Sequence, residues 1–233
     1  MGDKTLQEFK TLIDIIQDLR KKCPWDKKQN LETLRTLTLS EVYELSQAIL
    51  DNDVKAIKDE LGDLLGHILF YTTIGSEENL FSLLDIILEI KNKLIRRHPH
   101  IYGDLKISTE EEVRRNWELT KMNKEGKKSI FGGLPKSLPT LLKAKVINEK
   151  YNNINACKNE QQTKDELFKN LDKFKLEYQQ YTAGETTQNT IANTIGDALF
   201  SLVQLTTLHK IDIDKCLEVA NTKFINNAEN NAT

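Results

Sequence analysis

The chain has 233 residues, enough for one large or two small domains, and with 39% hydrophobic residues it can bury a core without disulfides or structural metal. Its charge is nearly balanced at −2, with an isoelectric point near 6.1 and no long block of like charges, which argues against a nucleic acid or an acidic membrane surface as partner. Cys23, Cys157 and Cys216 form no CxxC or Cys/His pattern, the N-terminus is polar, and no apolar run approaches the roughly 18 residues of a membrane span. The expectation is a cytoplasmic protein with neither leader nor membrane anchor.

Leu6, Phe9, Leu12, Ile13, Ile16 and Leu19 recur at three- and four-residue intervals and predict a first amphipathic helix ending before Pro24. Residues 23–30, CPWDKKQN, read as a loop, and a second helix runs from about Leu31 to Leu50. Asp53 reads as the N-cap of a third helix that turns Ile57, Leu61, Leu64, Leu65, Ile68 and Leu69 inward. Leu83 to Leu94 makes a fourth, with Lys93, Arg96 and Arg97 at its end and Pro99 as its stop. Thr109 and Glu112 form a capping box for a fifth helix, on which Trp117 and Lys121 share a face. Residues 126–139 hold three of the ten glycines and two of the four prolines, so we place a boundary between domains 1–125 and 126–233 there. Helical patterns resume beyond it and no strand or hairpin signal is found, so the expected class is all-α.

Two acid pairs stand out on this frame, Glu41 with Glu44 and Glu60 with Asp63. Carboxylates three residues apart project from one side of a helix about a turn apart. The short Asp51-Asn52-Asp53 link makes their helices antiparallel neighbours, the geometry in which four acids converge. Such a cluster repels itself by about 4 kcal/mol per close pair at an effective dielectric of about 20, so it calls for a cation, and Mg²⁺ suits oxygen donors. Solvated helix faces carry the same spacings without any ion.

An internal repeat bears on that choice. LGDLLGHILFYTTI at 61–74 aligns with IGDALFSLVQLTTL at 195–208, and Lys93-Leu94-Ile95 answers Lys223-Phe224-Ile225. Glu41 is answered by Glu177 and Asp63 by Asp197, but Glu44 by Gln180, Glu60 by Thr194, and Arg96-Arg97 by Asn226-Asn227. Acids and arginines are lost together from the second copy, which suggests that in the first copy they make one site.

CPWDKKQN at 23–30, SEVYEL at 40–45, DELGDLL at 59–65, KLIRRHPHIYGD at 93–104 and NWELTK at 116–121 together resemble the MazG-type nucleoside triphosphate pyrophosphohydrolases. The resemblance covers nearly the whole chain. It implies an all-α helical bundle, commonly dimeric, here a tandem of two MazG-like four-helix units with the second degenerate. It also implies Glu41, Glu44, Glu60 and Asp63 as ligands of Mg²⁺, for which Mn²⁺ can substitute, and Lys93, Arg97, Trp117 and Lys121 as nucleotide contacts. For Trp117 a half-buried interface role is an equal alternative. The family pattern EExxE begins here with Ser40, which bears on a supporting or proton-accepting role rather than on metal binding. Some tandem members use their C-terminal repeat, whereas the surviving acids here favour the N-terminal one.

The expected reaction is Mg-dependent cleavage of a nucleoside triphosphate to monophosphate and pyrophosphate, with Glu41 or Glu44 doubling as the general base. Two alternatives stay open: a non-catalytic helical dimer that binds a nucleotide or a partner protein, and hydrolysis of a related pyrophosphate such as phosphoribosyl-ATP. His98, Pro99 and His100 read as loop structure, and His67 as a core histidine within reach of Asp63. Residues 126–129, GKKS, lack the upstream glycine and strand of a phosphate-binding loop.

Overall fold

Caps, glycines and prolines cut the chain into helices at nearly every position where the pattern places a break. The structure, a computed structural model, describes residues 2–124, 129–154 and 159–232, and all regular structure among them is helical. The expected boundary at 125/126, residues 126–128 of the GKKS segment, and Cys157 lie outside the described residues. The chain divides into two compact units, Met1–Ile95 and Arg96–Thr233.

In the first unit, α1 (Asp3–Lys22) ends at Cys23, just ahead of Pro24. Its Arg20 then organises the following loop: one guanidinium nitrogen donates to the carbonyls of Asp26 at 2.7 Å and Gln29 at 2.8 Å. The others grip the Glu77 carboxylate at 2.8–3.1 Å. The expected loop therefore contains one 3₁₀ turn, Asp26–Lys28, fastened to a helix end. Asn30 opens α2 (Leu31–Leu50) with a reciprocal cap, its side chain accepting from the backbone of Glu32 and Thr33 while the Thr33 hydroxyl accepts from the Asn30 N–H. Asn52 turns the link through a left-handed conformation (φ 57°), and Asp53 caps α3 (Val54–Glu77) as expected.

Helix α3 packs along both α2 and α1. Ile16, Leu34, Leu69, Phe70 and Ile74 are buried together, with Phe9, Leu12, Ile13 and Leu83 against them. Near the end of α3 the Phe81 ring lies on Gly75, so close that a β-carbon there would sit 2.5 Å from it. One expectation is corrected: of the α3 residues predicted to face inward, Leu69 is buried, but Leu61, Leu65 and Ile68 are exposed. The helix is apolar on more than one side, and this chain's core uses only one of them. Helix α4 (Leu83–Arg97), opened by reciprocal bonds between Ser82 and Asp85, buries none of its residues.

The second unit begins with the last residues of α4, then the short α5 (Pro99–Tyr102), whose proline takes the first-turn position where a missing N–H costs nothing. The Thr109 and Glu112 cap opens α6 (Glu110–Lys124) as predicted. Next come α7 (Thr140–Ile154), α8 (Glu160–Thr182), α9 (Gln188–Leu208) and α10 (Ile213–Ala232). Helices α8 and α9 form the principal pair, and α7 bridges from α9 to α6. Their interior mixes Leu167, Ile191, Ala198 and Val203 with buried Thr163, Thr194 and Ser201. The polar members are satisfied, as where Asn170 donates to the Ser201 hydroxyl at 2.7 Å. Among the described residues no helix is long and apolar enough to cross a membrane.

Candidate functional site

The antiparallel packing of α2 on α3 brings the acids together in the first unit. Carboxylate oxygens of Glu41, Glu60 and Asp63 all lie within 4.8 Å of one another, the first two half-buried and the third exposed. Glu44, exposed and a turn beyond Glu41, is close enough for its charge to act on Glu60. Its Oε1 accepts a hydrogen bond from the Ser40 hydroxyl at 2.9 Å. Ser40 thus holds a neighbouring carboxylate by its short hydroxyl, four residues away on the same helix face.

Electrostatically the cluster is under-compensated. Burial pushes the Glu60 carboxyl above its ordinary pKa, and the Glu41 carboxyl in contact with it, then the charges of Glu44, Glu41 and Asp63, push the same way. Glu60 Oε2 is buried with no hydrogen-bond partner. A buried carboxylate oxygen without a donor, beside two further acids, is chemically suited to a hard divalent cation, and the donor set is all oxygen. Among the described residues this is the one such group of three. His67 stands one turn further along α3; burial lowers its pKa, the Asp63 charge opposes that, and its Nδ1 has no hydrogen-bond partner.

Three of the four residues expected to contact the nucleotide come together in the second unit. The Lys121 ammonium lies 4.9 Å from the centre of the Trp117 ring and the Arg97 guanidinium 5.9 Å from it. The His98 ring stands 6.2 Å from the same ring and 5.7 Å from that of His100. Lys93 belongs to the first unit, where it pairs with Glu89 at 3.9 Å.

Two charged residues join this group without having been singled out in the sequence. Glu118 is buried between helices and accepts from Lys121 at 2.6 Å and from Lys150 of α7 at 3.1 Å. The three-residue spacing of Glu118 and Lys121 was legible in the sequence; Lys150 arrives from 32 positions away, where no local pattern reaches.

In the second unit Thr194 on α9 donates to the Glu177 carboxylate on α8 at 2.9 Å; these are the two residues that the sequence alignment sets against Glu60 and Glu41.

A profile described as the MazG nucleotide pyrophosphohydrolase domain matches residues 29–102, the segment holding all four acids and Lys93. The nucleoside triphosphate pyrophosphohydrolase of Escherichia coli is 32% identical over 92% of this chain and 82% of its own length. A Thermotoga maritima protein named nucleoside triphosphate pyrophosphohydrolase/pyrophosphatase MazG is 31% identical over 93% and 82%. The Bacillus subtilis protein YabN is 40% identical over 59% of this chain, which spans only 29% of YabN. With its helical fold, its acid cluster and two relatives aligned across nine-tenths of its length, the chain belongs to the MazG family of nucleoside triphosphate pyrophosphohydrolases.

Proposed function

We propose that this protein itself hydrolyses nucleoside triphosphates to monophosphate and pyrophosphate, using the acids of the N-terminal unit as the site of a Mg²⁺ ion that Mn²⁺ can replace. The observation that carries this reading is the Glu60 carboxylate, with a buried oxygen lacking a donor and within 4.8 Å of Glu41 and Asp63.

Glu41, Glu44, Glu60 and Asp63 hold the cation, Glu44 through the oxygen that Ser40 leaves open. When bound, the ion supplies Lewis-acid polarisation of phosphoryl oxygens and offsets charge on the leaving group. Glu41 or Glu44 accepts a proton from the attacking water. The water oxygen bonds to the α-phosphorus as the bond from that phosphorus to the α,β-bridging oxygen breaks, and pyrophosphate leaves with the electron pair. Lys93 and Arg97 take the outer phosphates, while Trp117 offers a face to base or ribose and Lys121 a further cation.

In this reading the chain is a tandem of two MazG-like domains, 1–125 and 126–233. The Thr194–Glu177 hydrogen bond, with a threonine where the alignment sets Glu60, supports reading the second as degenerate and structural. The exposed leucines of α3 and the unburied α4 favour a homodimer, and the balanced charge and the odd number of widely spaced cysteines favour the cytoplasm.

The test is pyrophosphate release across a panel of nucleoside triphosphates, deoxy and damaged bases included, with Mg²⁺ and with chelator. Release from at least one substrate, abolished by Glu60→Ala, is expected. The Ser40–Glu44 bond motivates a second reading, a nucleotide-binding dimer without turnover, and binding with Mg²⁺ but no product from any substrate would establish that instead. Orthophosphate in place of pyrophosphate would contradict both. Phosphoribosyl-ATP belongs in the panel because its cleavage is the same bond chemistry.

A further inference from the structure

Glu118 keeps only 8% of its side chain exposed, and both carboxylate oxygens are engaged: Oε1 accepts from Lys121 and Oε2 from Lys150. Lys150, 14% exposed, also donates to the carbonyl of Ile130 at 3.4 Å. Burial raises the Glu118 pKa, and the bonds and charges of the two ammonium groups outweigh it, so the carboxyl sits below its ordinary range and is ionised at neutral pH. One buried carboxylate therefore faces two ammonium groups, one of which, that of Lys121, lies over the Trp117 ring.

That stoichiometry has a physical consequence. A lysine that is the sole partner of a buried carboxylate cannot leave it, because the stranded charge is costly. A second lysine on the other oxygen removes that obstacle. We propose that Lys150 is a positioning residue that makes Lys121 releasable: it stays on Glu118 while the Lys121 ammonium turns from the carboxylate to a substrate phosphate. Glu118 in turn parks Lys121 against Trp117 in the free protein, so the cation is pre-positioned for an incoming anion. The proposal rests on the reading of Lys121 as a phosphate contact, and its test separates the two.

The measurement is KM and kcat for the best nucleoside triphosphate, with pyrophosphate affinity by calorimetry, in the full chain. Lys150→Met is expected to raise KM and weaken pyrophosphate binding by about tenfold, with kcat changed much less, as for lost binding rather than lost chemistry. Lys150→Arg, which keeps the charge, restores both. In the Glu118→Gln background, where no charge can be stranded, adding Lys150→Met changes neither value, and this pair carries the test if Lys150→Met alone does not fold. A Lys150→Met effect that persists undiminished beside Glu118→Gln is a packing effect and overturns the proposal. Normal KM in Lys150→Met while Lys121→Met raises it overturns the proposal and leaves the phosphate reading of Lys121 standing. Normal KM in Lys121→Met removes that reading and the proposal with it.

Discussion

At Glu60, burial and three neighbouring acids all oppose ionisation, so the side chain is at a disadvantage at neutral pH that a cation relieves. A carboxyl whose pKa is raised by folding contributes stability that is fully present below its ordinary value and is lost as the pH rises through the raised one. In chelator, Glu60→Gln is therefore expected to gain melting temperature relative to the wild type as the pH climbs from 4 to 7, and at neutral pH to lose the rise that Mg²⁺ gives the wild type. Parallel melting curves for the two proteins across that range would show that Glu60 carries no such burden. The identity of these acids was legible from their three-residue spacing and the short link at Asp51–Asp53. The hydrogen bond from Ser40 to Glu44 and the missing donor at Glu60 Oε2 were not, because both depend on rotamers that spacing does not determine.

Among the elements, α3 does the most work: it supplies half of the acid cluster, the central core residues and, at its end, the seat for Phe81. Alanine is ordinarily the better helix former than glycine by about 1 kcal/mol. At Gly75 the added carbon would meet the Phe81 ring at 2.5 Å, and overpacking a buried site costs about 1–3 kcal/mol, so Gly75→Ala is expected to destabilise. Urea denaturation would detect it, and a stabilised Gly75→Ala would mean that the ring moves freely. The helices themselves were readable because apolar residues at intervals of three and four leave few alternatives and Asp53, Thr109 and Pro99 punctuate them. The direction of each apolar face was less so. A helix such as α3, apolar on several sides, has one pattern whichever side meets its own chain, and Leu61, Leu65 and Ile68 were assigned inward on that ground.

For the whole molecule, those exposed residues on α3 and the exposed Leu84, Ile87 and Ile90 on α4 are apolar side chains of the kind that a second copy of the chain would cover. Leu65→Asp is expected to shift the protein from dimer to monomer by light scattering after size exclusion, with its helical circular dichroism retained. A wild-type chain that elutes as a monomer at micromolar concentration would remove the dimer reading. The two halves differ in what holds their central helix pairs together. Between α8 and α9 the threonine hydroxyl closes onto the Glu177 carboxylate as a complete neutral-to-charged bond, whereas between α2 and α3 acid faces acid. The first pairing is finished by the polypeptide alone; the second is left for the medium to finish. On the proposed metal reading, metal concentration acts on one half only. Adding Mg²⁺ is expected to slow amide exchange along α2 and α3 and leave α8 and α9 as they were; equal protection in both helix pairs with and without Mg²⁺ would show that the acids bind no ion.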